Sequence, residues 1–306
     1  MNLADIDPMI FVVFVQIFIE SFPISSSGHV FLFERLFSRF GIDAPNTLPS
    51  FFDHFLHGPT ILILMLVFFK DWFEPVKKLF IGFFSGVRRD SYKRLCLIFF
   101  KIVGYVCVTT LIVVPAWGLQ NLYLKNMNWF ASDYSTLFGF CVTAILLLLL
   151  FLKEAVRMVR QAHHERGVKL FRNLKDRNFD TLNIRKVLII GFVQAISLMP
   201  GISRFASVYV TSRLLNISPR RAIQFTFLIQ FPLIVPAFFL GFFSLLKQPN
   251  WRMFFTWQMN LTLLISSILS FFALLWIKKL ALNKKLGWFA FYMLIPILLM
   301  TYLLIK

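Results

Sequence analysis

Two stretches of this chain align without a gap: "VQIFIESFPISSSGHVFLFERLF" from Val15 to Phe37, and "VQAISLMPGISRFASVYVTSRLL" from Val193 to Leu215. Identities fall at Val15/Val193, Gln16/Gln194, Ile24/Ile202, Ser25/Ser203, Val30/Val208, Arg35/Arg213 and Leu36/Leu214. Apolar segments often match by chance, but shared Gln, Ser and Arg positions do not arise that way. The segments that follow repeat as well, since "FDHFLHGP" from Phe52 parallels "FTFLIQFP" from Phe225. We read an internal duplication.

The surroundings of both copies set the fold class. Of 306 residues, 58% are hydrophobic and only 15% charged, more apolar surface than a soluble domain could hide. Six segments, near 50–70, 96–116, 135–152, 222–246, 257–277 and 286–304, are long enough to cross a bilayer at about 1.5 Å per residue. Met9 to Ile19 and Val187 to Met199 are too short to cross. Each runs into a proline break, at Pro23 or at Pro200-Gly201, and a second apolar run follows. The expectation is an all-α integral membrane protein with about six transmembrane helices plus two re-entrant helix-loop-helix units. The single membrane domain, 1–306, then holds repeat units at 8–70 and 187–246.

Three spans lie between the two units, and an odd number makes them enter from opposite faces, an inverted-topology repeat. Such repeats place broken helices face to face near the midplane, where helix ends meet a polar ligand. Basic residues crowd the loops around Lys70–Lys101 and Lys153–Lys186, as cytoplasmic loops do. The first unit is therefore expected to enter from outside. The formal charge of +18 is then matched to anionic lipid headgroups, and nucleic acid is not expected as a partner. Cys96, Cys107 and Cys141 lie in or beside spans, which argues against a disulfide framework or a zinc site. Asp5 and Asp7 near the start replace the basic run of a cleavable leader.

The polar residues at the breaks suggest chemistry. Gln16 and Glu20 are four apart and share one helix face. "PISSSGH" then offers the hydroxyls of Ser25, Ser26 and Ser27 and the amides around Gly28 at a helix start, a setting that suits phosphate. The second break adds Gly201, Ser203 and Arg204, whose guanidinium fork fits phosphate oxygens. Carboxylate, imidazole (His29), hydroxyl and guanidinium together are what a phosphoryl-transfer site needs. Asp53, His54 and His57 begin the next segment, where a place in the site and a plain interfacial location stay open. A carrier or flippase for a phosphorylated lipid is the alternative, because inverted repeats with broken helices are also a transporter architecture.

At these residues the sequence resembles the undecaprenyl-diphosphatase (bacitracin-resistance) family of membrane pyrophosphatases. Its E/Q-x-x-x-E and P-x-S-S-x-G-H pattern reads here Gln16, Glu20, Pro23, Ser25, Ser26, Gly28 and His29. Its P-G-x-S-R-S-x-x-T pattern is kept at Pro200, Gly201, Ser203 and Arg204, then departs at Phe205 and Val208; His57 stands where the family commonly has Gln. The resemblance implies hydrolysis of undecaprenyl diphosphate to undecaprenyl phosphate, recycling the lipid carrier for peptidoglycan synthesis and conferring bacitracin resistance. It implies a multi-pass protein of the bacterial inner membrane, with its active site open to the outer face. A divalent cation, Mg or Ca, is implied at Glu20, and the implied partners are a polyprenyl diphosphate and membrane lipids, with a homodimer as a compatible assembly. Glu20, His29, Ser26 and Arg204 are the implied catalytic residues, His29 and Ser26 remaining open as attacking group. Gln16, Ser25, Ser27, Gly28, Gly201 and Ser203 would bind substrate.

Overall fold

The computed structural model describes residues 8–41, 50–84, 89–120, 132–165, 182–249 and 251–305. Segments 121–131 and 166–181, on which the expected sidedness partly rests, lie outside the described residues. The apolar runs form helix, and the two matched stretches break around Pro23 and around Pro200-Gly201. The first copy forms α1 (Pro8–Ile19) and α2 (Ser26–Arg39), followed by α3 (Ser50–Phe55) and α4 (His57–Phe84). Next come the long α5 (Arg89–Leu119) and α6 (Asp133–Glu165). The second copy forms α7 (Ile184–Ile196) and α8 (Arg204–Leu214), followed by α9 (Pro219–Leu246). The chain closes with α10 (Trp257–Leu282), α11 (Phe289–Tyr292) and α12 (Leu294–Ile305).

Among the described residues, six stretches are long and apolar enough to cross a bilayer: Phe51–Phe84, Tyr92–Leu119, Asp133–Val159, Pro219–Leu246, Trp257–Leu282 and Leu286–Ile305. Their outward faces expose Leu66, Leu111, Phe243, Leu264 and Leu298, side chains that water would not tolerate in such density but lipid does. There is no strand among the described residues. The protein is an all-α, multi-pass membrane protein.

The two copies share local geometry. Ser25 caps α2 with φ −73° and ψ 111°, its hydroxyl accepting from the Gly28 amide. Ser203 caps α8 with φ −74° and ψ 114°, accepting from the Ala206 amide. Each hydroxyl satisfies an amide that the helix start would otherwise leave unpaired.

Helix α6 organises both copies. Gly201 sits at φ +77°, and a Cβ there would meet Thr136 O at 2.3 Å; a Cβ at Gly139 would meet Pro200 O at 2.1 Å. Only glycine on both sides permits this approach. Gly28 completes the contact, its Cβ position lying 3.0 Å from Gly201 Cα. From this crossing, α2 carries Arg35 to Asp133 at the start of α6, Nε donating to Oδ1 at 2.8 Å. In contrast, α8 carries the duplicated Arg213 to Glu154, with Nε donating to Oε1 at 3.1 Å. Asp133 and Glu154 stand about 30 Å apart along a helix rising about 1.5 Å per residue. So α2 and α8 run towards opposite ends of α6.

Candidate active site

The first break begins where α1 unwinds. The Ser21 hydroxyl pairs with Ser270 Oγ at 2.6 Å, and Ser270 Oγ donates to Ile17 O at 3.1 Å. Those bonds tie the end of α1 to α10 and occupy a carbonyl that helix α1 leaves free. Glu20 is held on the other side. Its Oε1 accepts from His57 Nδ1 at 3.0 Å and its Oε2 from Thr60 Oγ1 at 2.5 Å. Both donors lie at the start of α4, so the break between α3 and α4 at Leu56 is what lets the helix begin at His57 and present them.

The second break is held by α6. Thr143 Oγ1 donates to Gly201 O at 3.2 Å and accepts from Ser203 N at 2.9 Å. A single hydroxyl thus serves both flanks of the turn, and Arg204 follows it as the first residue of α8. Ser197 closes the end of α7 by donating to Gln194 O at 2.6 Å.

Both breaks open into one cavity of about 200 Å³. From the first copy Gln16, Glu20, Ser25, Ser26 and Ser27 line it; from the second come Ser203 and Arg204. Asp53, His54 and His57 line it too, and Glu20 and Asp53 stand within electrostatic reach of the Arg204 guanidinium. Around the cavity, Gln16 Oε1, Arg204 Nε and Gln230 Nε2 are buried without a hydrogen-bond partner among the described residues. Such groups are costly unless a ligand or water completes them. The walls therefore ask for an acceptor-rich ligand beside Arg204 and Gln230, and for a donor or cation beside Gln16.

Not every residue singled out in the sequence faces this cavity. Gly28 and Gly201 serve the close approach of the two turns to α6 and to each other. His29 points elsewhere: its Nδ1 meets Ser25 O at 2.6 Å, its Nε2 meets Tyr292 Oη at 3.1 Å, and its ring stacks on Tyr292. Since a carbonyl can only accept, Nδ1 carries a proton, and in the neutral ring Nε2 then accepts from the tyrosine. Nδ1 holds the serine turn and Nε2 ties the ring to α11. Phe205, at the family's serine position, lines the cavity and packs on Phe227 with ring centroids 4.8 Å apart.

Thr60, Thr143, Ser197, Gln230 and Tyr292 are the residues that sequence reasoning left out. Only Gln230 carried a signal, since the match of "FDHFLHGP" with "FTFLIQFP" sets it opposite His57.

Similarity to known proteins agrees in extent with this arrangement. The undecaprenyl-diphosphatase of Borrelia recurrentis is 28% identical over 292 residues, 95% of this chain and 96% of its own length. That of Oceanobacillus iheyensis is 26% identical over 280 residues, 91% of this chain and 89% of its own. That of Leptospira biflexa is 23% identical over 261 residues, 82% and 80% of the two. The pattern of the family described as "Bacitracin resistance protein BacA" matches residues 9–298, which takes in both turns, α6 and the helices that close the cavity. The chain belongs to that family.

Proposed function

We propose that the protein hydrolyses undecaprenyl diphosphate to undecaprenyl phosphate and inorganic phosphate, returning the lipid carrier to cell-wall precursor assembly. The observation that carries this reading is the cavity built from both turns, with a carboxylate, serine hydroxyls and a guanidinium around one space. Its relatives are named for the same reaction. In this reading Arg204 offsets the charge of the diphosphate, and the first amides of α2 receive the terminal phosphate. Ser26 is the attacking group. It is the first residue of α2, it lines the cavity, and its hydroxyl has no hydrogen-bond partner among the described residues. Its Oγ forms a bond to the terminal phosphorus while the bridging P–O bond breaks and undecaprenyl phosphate leaves. The hydroxyl proton passes to Glu20, which His57 and Thr60 hold in place. Water then cleaves the phosphoserine, restoring the hydroxyl and releasing phosphate. His29 is a positioning residue that fixes the Ser25 carbonyl.

A divalent cation fits this site. Among the described residues there is no cluster of three or more His, Cys, Asp or Glu that could ligate an ion, so a fully protein-made cage is not the arrangement to expect. Gln16 Oε1, buried without a donor, and Glu20 could hold Mg or Ca, with phosphate oxygens and water completing the shell, as Mg commonly requires. Such an ion would neutralise charge on the diphosphate oxygens. The opposite courses of α2 and α8 support an inverted-topology repeat of two re-entrant units. The basic loops support a cavity open to the outer face of a bacterial inner membrane.

The test is phosphate release from undecaprenyl diphosphate by the purified chain in detergent, with and without a chelator. Expected are equal amounts of phosphate and undecaprenyl phosphate, loss of both with the chelator, recovery on adding Mg or Ca, and collapse in Ser26→Ala. Absence of release with every cation tried would refute the reading.

A further inference from the structure

We infer that Gln230 is a ligand for the diphosphate, a specificity-determining residue supplied by α9; the inference deepens the hydrolase reading and rests on it. Gln230 lies on α9 beside Phe231-Pro232, at the position that the internal duplication pairs with His57. Its partner His57 has a task in the cavity, holding Glu20. Gln230 lines the same cavity, and its Nε2 is buried with no hydrogen-bond partner. The matched positions, one at the start of α4 and one within α9, therefore bring two polar side chains to one space, and the Nε2 of the second is unpaired among the described residues.

Burying an amide without a partner costs stability, and α9 had apolar choices at hand. Its neighbours Phe227, Ile229 and Ile234 are all buried and apolar. A carboxamide kept there is explained if a ligand supplies the acceptor. Within the cavity that ligand also faces Arg204, whose Nε is likewise unpaired. Two donors without acceptors, one charged and one neutral, match a group with several acceptor oxygens and no protons to give, which is a diphosphate. Phe205 makes the need specific to this chain. It fills the cavity wall directly after Arg204 with an aromatic ring, where the family pattern has a serine hydroxyl. Gln230, from the facing helix, supplies the uncharged donor that this wall lacks.

The experiment compares the purified parent chain with Gln230→Leu in two assays. One is phosphate release from undecaprenyl diphosphate; the other is the thermal unfolding midpoint with and without methylenediphosphonate, which shows the same oxygens on a bridge that cannot be hydrolysed. For Gln230→Leu the expected result is a KM raised about tenfold or more, the loss of a hydrogen bond to a charged group. The upward shift of the midpoint by methylenediphosphonate should shrink, while the midpoint without it stays equal or rises. A structural role predicts the reverse: an unchanged KM and a lower midpoint in the ligand-free variant. That outcome overturns the inference and leaves the hydrolase reading intact. A parent stabilised by methylenediphosphonate that releases no phosphate sinks the hydrolase reading and keeps Gln230 as a diphosphate ligand if the variant loses the shift. A parent that neither binds nor hydrolyses sinks both.

Discussion

The two turns that meet in the cavity share a backbone and differ in chemistry. Ser25 and Ser203 cap their helices within 3° of one another in both φ and ψ. Around that frame the first copy has Glu20 and Ser26 where the second has Leu198 and Arg204. One turn offers a carboxylate and hydroxyls, the other a guanidinium. A site for a doubly charged headgroup needs both, and two identical turns would have given neither a charge gradient nor a division of roles. The duplicated arginines make the same point at the outer ends of α2 and α8. Arg35 meets Asp133 with the two side chains 48% and 29% exposed, whereas Arg213 meets Glu154 at 0% and 3%. Lys153 then donates to the carbonyls of Arg213 and Leu214 at 2.6 and 3.0 Å, closing the end of α8. The two matched stretches carry the same arginine. Burial decided what each became.

The largest expected effect breaks that comparison at the buried arginine. Arg213→Leu leaves Glu154 charged and unpaired, so the detergent-solubilised protein should lose about 3–5 kcal/mol of stability, read as a large drop in unfolding midpoint. The double change Arg213→Leu with Glu154→Leu should recover most of it, and Arg35→Ala should cost less than about 1 kcal/mol. Equal losses at the two arginines would show that burial does not separate the copies.

A smaller effect is expected at the second turn. Thr143→Val keeps the shape but leaves the Ser203 amide and the Gly201 carbonyl without their partner, at a cost of about 1–3 kcal/mol. Because Arg204 follows that amide, phosphate release should fall by more than the stability loss accounts for at the assay temperature. A stable variant with undiminished release would mean that Thr143 does not set the position of Arg204.

How far the sequence revealed these features depends on the kind of signal. The six spans were legible because twenty apolar residues in a row have few other uses. Their ends were not, as α4 continues through Lys70, Asp71 and Pro75 to Phe84, where charges mark the edge of lipid but not the end of a helix. The break at Leu56 went unread, for no proline precedes it closely enough to announce one. Glu20, the serines and Arg204 stood out as polar groups in apolar surroundings. Thr60 and Thr143 did not, since a threonine in an apolar helix ordinarily bonds back to its own backbone, as Thr226 does to Ala222 O at 2.7 Å. For His29 the residue type was informative but the direction of the ring was not. Tyr292, 263 positions away along the chain, sets that direction, and a local pattern carries no trace of it.

Whether both turns serve one reaction is read from phosphate release from undecaprenyl diphosphate by Glu20→Gln and by Arg204→Lys, each altering a different turn. Both proteins should fold and purify like the parent. Glu20→Gln keeps the size of the side chain and removes its charge, and Arg204→Lys keeps the charge and loses the two-pronged fork. Each should reduce release by about a hundredfold or more. If either variant works at close to the parent rate, the two turns do not share one reaction.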